Sequence, residues 1–260
     1  MISILEMQEA AQRIRIDILR VAAEGKKSTH IGSCLSIVEI LVTLFLRILR
    51  PQDIFVLSKG HGGLGYYAVL KEVGLLNEEQ LYSFESDGGE LGCHPSRLPQ
   101  AGIVYSSGSL GMGLSYVCGL ALASKLKNED KRYYVLLGDG ECNEGSVYEA
   151  ACFASQNMLN ITIVVDKNEL QADGLTSNII NIDIKRLLQS LGINTISCDG
   201  HSFEYLLQAC EIIDRPLAIV ANTIKGKGVS FMENNNDWHH KPLVREKFEQ
   251  AKREILLNEH

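Results

Sequence analysis

Leu137-Gly138-Asp139-Gly140-Glu141, followed further along by Ile161-Thr162-Ile163-Val164-Val165 and then Asp166-Lys167-Asn168-Glu169-Leu170, decides how this chain reads. Each segment is an apolar run that suits a buried strand and ends in polar residues. Gly138 and Gly140 let the backbone approach a ligand closely. The helix expected after them would point its first N–H groups at an anion such as a phosphate. Asp139 sits where a strand ends and could ligate a metal. Alone, Gly-Asp-Gly is a common turn; the second run changes that reading. Asp139 and Asn168 would lie as neighbours at the ends of two parallel strands. A carboxylate and a side-chain amide are hard oxygen donors, which suit Mg²⁺ completing its shell with water and phosphate. The competing reading, Asp139 capping a helix and Asn168 a turn, leaves their pairing unexplained.

Outward from this pair, the rhythm is regular. Helical spacing marks residues 4–24, 36–49, 64–73, 77–86, 111–126, 145–157, 183–191, 202–213 and 242–257, with Asn77 placed to cap the fourth. Strands are expected at 54–57, 133–137, 161–166, 193–198 and 217–223. Alternating strands and helices imply an α/β fold, a mostly parallel sheet with helices on both faces. With no repeat or dividing linker, residues 1–260 read as a single domain. Ligands in such folds sit beyond the carboxyl ends of the strands. The long polar loop 87–109 is a further place to look for function.

Composition narrows the classes. The chain has 260 residues with 45% hydrophobic and 22% charged residues, which excludes disorder and low complexity as whole-chain readings. A net charge of −7 offers no basic face for nucleic acid. The apolar stretch 37–49 is interrupted by Glu39 and Arg47 and reads as too short to span a bilayer. The seven cysteines show no C-x-x-C spacing, so they read as small buried hydrophobes, not as a zinc or disulfide framework. A reducing cytoplasm is the simplest compartment.

Seven segments in order then point to a family: Ser28-Thr29-His30-Ile31-Gly32, Leu57-Ser58-Lys59-Gly60-His61, Cys93-His94-Pro95, Gly108-Ser109-Leu110-Gly111-Met112-Gly113, Gly138-Asp139-Gly140-Glu141 with Glu144-Gly145, Ile224-Lys225-Gly226-Lys227-Gly228 and Trp238-His239. With Asn168 completing the thiamine diphosphate fingerprint, the chain resembles the N-terminal, diphosphate-binding part of transketolase. The resemblance implies that Asp139, Asn168 and the Leu170 carbonyl hold Mg²⁺, with Ca²⁺ able to substitute. It implies that Gly140 lies against the diphosphate and that Gly108 and Leu110 line the cofactor. It makes Glu144 an acid coupling cofactor sites across a subunit interface, and His30, His61, His94 and His239 the active-site histidines. The chemistry implied is transfer of a two-carbon ketol unit from a ketose or ketose phosphate to an aldose.

The histidines carry this independently. These four lie in loop-like sequence next to Gly or Pro or in polar stretches, where imidazole can serve proton transfer near neutral pH. His201, in Asp199-Gly200-His201-Ser202, reads as a turn residue beside an N-cap, and His240 and His260 read as plain polar residues. Lys225-Gly226-Lys227-Gly228 reads either as a phosphate-binding loop or as a solvated turn. Some positions depart from the family: Cys93 stands where Gly is usual, Ser96 where an acid is, His240 in place of Gly, and Lys167 in place of a second Asn. None removes a metal ligand, but those around His94 leave the sugar open. No segment matches the family's pyrimidine-binding domain, so a split enzyme is expected, with a second, C-terminal subunit supplying that domain in an α₂β₂ assembly. The alternatives are another thiamine diphosphate enzyme, of the 2-oxoacid decarboxylase or 1-deoxyxylulose-phosphate synthase type, and a non-catalytic subunit. The histidine set argues against both.

Overall fold

The structure, a computed structural model, describes residues 2–25 and 28–257. Strands β1 (Ile54–Leu57), β2 (Tyr133–Gly138), β3 (Ile161–Lys167), β4 (Asn194–Asp199) and β5 (Leu217–Asn222) form one sheet in the order β1-β2-β3-β5-β4. Every pairing is parallel. Side chains alternate between two cores. Phe55, Leu57, Tyr134, Leu136 and Val164 join the larger one. Val56, Tyr133, Val135, Leu137 and Ile163 join the second. Burial on both faces is why these strands read as unbroken apolar runs, and each fully buried Val, Leu or Ile contributes about 1.5–3 kcal/mol.

Helices α1 (Ile4–Glu24), α2 (Ile31–Leu35), α3 (Val38–Thr43), α4 (Gly63–Glu72), α5 (Glu78–Tyr82), α10 (Phe203–Cys210) and α11 (Arg245–Leu257) contribute to the larger core. Helices α6 (Met112–Leu126), α7 (Gly145–Gln156) and α9 (Ile184–Ser190) cover the other face, and the short α8 (Thr176–Ile179) lies in the loop after β3. The start of α1 is set by Ser3, which caps it in a reciprocal box with Glu6. Asn77 and Gln80 do the same for α5.

Several elements differ from their sequence reading. The expected helix 77–86 stops at Tyr82 because the Ser83 and Ser86 hydroxyls donate to the carbonyls of Gln80 and Ser83, and Glu85 turns to a φ of +50°. The tail helix starts at Arg245, past Pro242. The expected helix 36–49 is realised as α3 followed by a π-helical turn over Leu44–Ile48, with the separate short α2 just before it. By length and composition, residues 31–48 are long and apolar enough to cross a membrane, but 78% of that run is buried inside this chain. It is a core helix here, and Glu39 within it is held by Arg15 and His201. Of the seven cysteines, all free, Cys34, Cys118, Cys142 and Cys210 are buried as read, whereas Cys152 is exposed.

Strand order runs outward from β1 to β3, then skips to the edge strand β4 and returns to β5. The carboxyl ends of β1, β2, β3 and β5 therefore open side by side, and their next residues include Lys59, Asp139, Asn168 and Lys225.

Candidate active site

The register of β2 on β3 places Gly138 opposite Asp166, so Asp139 and Asn168 emerge next to one another. The Asp139 carboxylate is 4% exposed. Its Oδ1 accepts from the Gly140 amide at 2.8 Å, and its Oδ2 from the Glu169 amide at 2.6 Å and the Thr176 hydroxyl at 3.4 Å. Asn168 Oδ1 accepts from the Leu170 amide at 3.1 Å, and its Nδ2 donates to Asp166 at 2.9 Å. Asp139, at the end of β2, is thus bonded to the loop after β3 that carries Asn168. A Cβ on Gly140 would stand 2.8 Å from Gln171 Cγ, so a side chain there would have to displace that of Gln171.

Beneath these donors lies a buried ion pair. The Lys59 ammonium meets the Asp166 carboxylate, and both side chains are 0% exposed. Asp166 also accepts from the hydroxyls of Ser36 and Thr223. Burial opposes its charge, but Lys59 and these hydroxyls outweigh that and hold the carboxyl below its ordinary range. Asp139 is pushed the other way, up to about 6, by burial first and then by the charge of Asp166. A carboxylate destabilised in this way, beside an amide oxygen and a backbone carbonyl, is a donor set that a hard divalent cation would relieve. Among the described residues, no group of three or more His, Cys, Asp or Glu is placed to hold a metal, so a cation at this place would have one carboxylate and neutral oxygens to bind.

The buried Glu141 ties three segments together. Its carboxylate accepts from the Ser58 hydroxyl at 2.5 Å and from the amides of Gly111 at 2.8 Å and Gly138 at 3.1 Å. Gly108, Ser109 and Leu110 are exposed on the loop that this anchors. Glu144, at the N-terminus of α7, is also exposed.

Four separate segments bring the histidines together. His30 caps α2, His61 lies in the turn after β1, His94 in the 87–109 loop and His239 just after the turn at Asn236–Trp238. The His30 ring centroid lies 5.6 Å from His61, 5.9 Å from His94 and 5.2 Å from His239. His240, read as a plain polar residue, is a correction: its centroid is 4.5 Å from that of His30. The cluster follows from the Trp238 anchor, whose burial carries both following histidines to the site. Cys93 Sγ lies 3.4 Å from His30 Nδ1.

Burial, then repulsion from His239 and His240, pushes His30 down to about 3. Burial and the Lys225 charge push His239 down to about 4, and His61 is also held well below its ordinary range by burial and Lys59. At neutral pH these rings are uncharged and can donate and accept. A base whose folded value lies below its unfolded value of 6.5 has no effect on stability above that pH. It withdraws stability as pH falls below 6.5, because the unfolded chain binds the proton first. We expect the stability lost between about pH 7.5 and pH 5 to shrink in a His30→Gln/His239→Gln chain. Urea midpoints at both pH values for both chains check this, and the difference cancels carboxylates titrating in the same window.

Lys225 joins the two halves. It is 1% exposed, which excludes the solvated-turn reading. Its ammonium donates to His239 Nδ1 at 2.8 Å, to the Leu170 and Gln171 carbonyls at 3.3 and 3.2 Å and to Asn236 Oδ1 at 3.3 Å. Those carbonyls therefore already face a cation. Burial and Lys59 push this ammonium down to about 8. Lys59, Asp166, Glu141 and Lys225 are the members that sequence reasoning gave no role or left open. The available signal was a lysine two residues past an apolar strand end, as in Leu57-Ser58-Lys59.

Comparison with known proteins gives the family. Residues 6–260 match the family described as "Transketolase, thiamine diphosphate binding domain". The chain is 36% identical over 264 residues to one subunit of an apulose-4-phosphate transketolase of Actinobacillus succinogenes, covering 96% of both chains. It is 34% identical over 267 residues to the like-named subunit from Phocaeicola vulgatus, covering 96% of this chain and 93% of that one. Human transketolase is 37% identical over 263 residues, 96% of this chain but 42% of the human protein. Among solved structures, transketolase from Leishmania mexicana superposes with a TM-score of 0.87 at 26% identity, covering 98% of this chain and 41% of that one. A sheet of this order, with these residues at its strand ends and this likeness along the chain, places the protein in the transketolase thiamine diphosphate-binding domain family.

Proposed function

We propose that this chain is the diphosphate- and metal-binding subunit of a split transketolase, moving a two-carbon ketol unit from a ketose phosphate to an aldose. One observation carries the reading: Lys225 links the loop of Asn168 and Leu170, to which Asp139 is bonded, to the histidine cluster through His239. Thiamine diphosphate, when bound, supplies the carbanion-stabilising chemistry that ketol transfer needs. The side-chain oxygens of Asp139 and Asn168 and the Leu170 carbonyl would hold Mg²⁺. Gly140 admits the diphosphate against the backbone, and the Lys225 ammonium offsets its charge. Gly108 and Leu110 line the cofactor on the exposed loop. His30 and His239 donate to substrate oxygens as negative charge grows there, since a neutral ring N–H in a partly dry cluster stabilises an alkoxide. His61 and His94 contact the cofactor and the donor sugar.

Two relatives matched over nearly their whole length are each named as one subunit of a transketolase, which supports a separate partner chain. Apolar side chains stand exposed on the packed pair α6 and α7, with Met112 at 47%, Leu126 at 76% and Phe153 at 43%. Such a surface suits association, and a C-terminal transketolase subunit bearing the pyrimidine-binding domain would cover it and meet Glu144 in an α₂β₂ assembly. Both relatives are named for apulose 4-phosphate, so that sugar is the first to assay.

Two measurements test the proposal. Calorimetry of the chain with thiamine diphosphate should give uptake only with Mg²⁺ present; metal-independent binding argues against the bridging ion. Ketol transfer should be absent from the chain alone and appear on mixing with a partner. Full activity of the lone chain refutes the split, and turnover of pyruvate in place of the ketose would move the enzyme to the decarboxylase or deoxyxylulose-phosphate synthase class.

A further inference from the structure

Away from the reacting groups, three charged or titratable residues meet in the larger core. Arg15 on α1 and Glu39 on α3 are each 7% exposed, and His201 lies in the turn between β4 and α10. Glu39 Oε1 accepts from Arg15 Nη2 at 2.6 Å, and its Oε2 from His201 Nδ1 at 2.9 Å. The remaining polar edges of both partners go to one backbone segment. His201 Nε2 accepts the Ile224 amide at 2.8 Å, and Arg15 Nε donates to the Lys227 carbonyl at 3.2 Å.

The chemistry of this chain of bonds has one solution. An amide N–H aimed at Nε2 requires a lone pair there, so the proton of neutral His201 lies on Nδ1, where the carboxylate receives it. Burial penalises the Glu39 charge, but Arg15 and His201 outweigh it and hold the carboxyl down to about 2. His201 is thus more than the turn residue its sequence suggests.

The two holds fall on either side of Lys225-Gly226. Between them the path is narrow. The Gly226 amide donates to the Gly32 carbonyl at 3.0 Å, its φ is +81°, and a Cβ there would lie 2.4 Å from the Met232 carbonyl oxygen. From this segment the Lys225 ammonium reaches His239 and the Leu170 carbonyl.

We infer that Arg15, Glu39 and His201 form a clamp that positions the Lys225 loop, so that the Lys225 ammonium is preorganised for the anionic part of the cofactor. They are positioning residues, acting through Lys225 without touching the reacting atoms. This deepens the proposed function and rests on it for its effect on cofactor binding; the clamp itself does not. Preorganisation lowers the ordering cost of binding, so its loss raises the cofactor requirement more than it slows the chemistry.

The test uses the full chain, three variants of the clamp and one control variant. His201→Ala removes the acceptor for the Ile224 amide. His201→Gln can return a carbonyl oxygen to that place. Glu39→Gln keeps the shape, but its amide must face a donor on one side or reverse the His201 tautomer, so one bond of the relay is lost either way. Leu188→Ala, in the core on the opposite face, serves as a destabilised control. Hydrogen exchange of the Ile224 amide is read in the chain alone, and the apparent KM for thiamine diphosphate and kcat in the enzyme reconstituted with its partner. We expect Ile224 exchange to accelerate about tenfold in His201→Ala and Glu39→Gln, with KM up about tenfold and kcat within about threefold, and His201→Gln to recover most of both. If these variants exchange no faster at Ile224 than Leu188→Ala, or if KM is unchanged while kcat falls, the clamp is overturned. Should His201→Ala fail to fold, Glu39→Gln and His201→Gln decide the matter. If the unmodified chain takes up no cofactor, the proposed function fails, while Ile224 exchange still judges the clamp.

Discussion

Asp139→Asn is expected to lower affinity for thiamine diphosphate in the presence of Mg²⁺ by about 100-fold or more and to remove ketol transfer from the reconstituted enzyme. The physical reason is charge. In the proposed site the cation takes one carboxylate, and its other protein donors are the neutral oxygens of Asn168 and Leu170. Replacing that carboxylate with an amide removes the main Coulombic attraction in a buried place, where it is worth several kcal/mol, and each 1.4 kcal/mol is about tenfold in affinity. Asparagine keeps one oxygen to accept from the Gly140 or the Glu169 amide, and it ends the cost of burying a charge and the repulsion from Asp166 that together push Asp139 up to about 6. The new NH2 faces the other amide and loses that bond, so the fold should survive with a melting temperature only modestly below that of the unmodified chain. Calorimetry with and without Mg²⁺, beside a melting curve, checks both halves. Normal metal-dependent uptake by Asp139→Asn would move the metal site elsewhere.

Lys59→Met should have the largest effect on stability. It strips the buried Asp166 carboxylate of its cation while leaving it 0% exposed. Breaking a buried pair from one side costs about 3–5 kcal/mol, because the remaining charge is neither hydrated nor paired. For a chain of this size that corresponds to a fall in Tm of roughly 6–20 °C. Ser36, Thr223 and Asn168 still bond Asp166 and place the loss toward the lower part of that range. Adding Asp166→Asn removes the orphaned charge, so the double variant should regain part of the loss. That non-additivity separates an ion-pair effect from a simple cavity. A Tm for Lys59→Met within about 2 °C of the unmodified chain would mean that water or a shifted lysine relieves Asp166. Because Asp166 also accepts from Asn168 Nδ2, the single variant should weaken cofactor binding as well.

Much of this molecule was readable from local pattern. The Val-, Ile- and Leu-rich runs of β2 and β3 predicted themselves, because a strand buried on both faces has no polar side to interrupt it. The Gly-Asp-Gly turn and Asn168 could be paired by chain order alone, since parallel neighbours end at the same edge of the sheet. The four principal histidines were marked by their segments. Element ends were less legible. Nothing in the spacing of residues 77–86 revealed that Ser83 and Ser86 would turn their hydroxyls onto the backbone and stop α5 early. The helical spacing of residues 36–49 did not show the change to a π-helical turn after Thr43.

Chain order and residue type by themselves determined the α/β layering, the parallel strands and the placing of Asp139 and Asn168 at their carboxyl ends, because burial and periodicity act on neighbours in sequence. The tertiary structure alone decided which charges meet. Lys59 finds Asp166, Glu39 finds Arg15 and His201, and Lys225 finds His239 and the Leu170 carbonyl, each across a long stretch of chain. A charged side chain looks solvated in sequence, and only the packed sheet shows that it has left water and which partner compensates it.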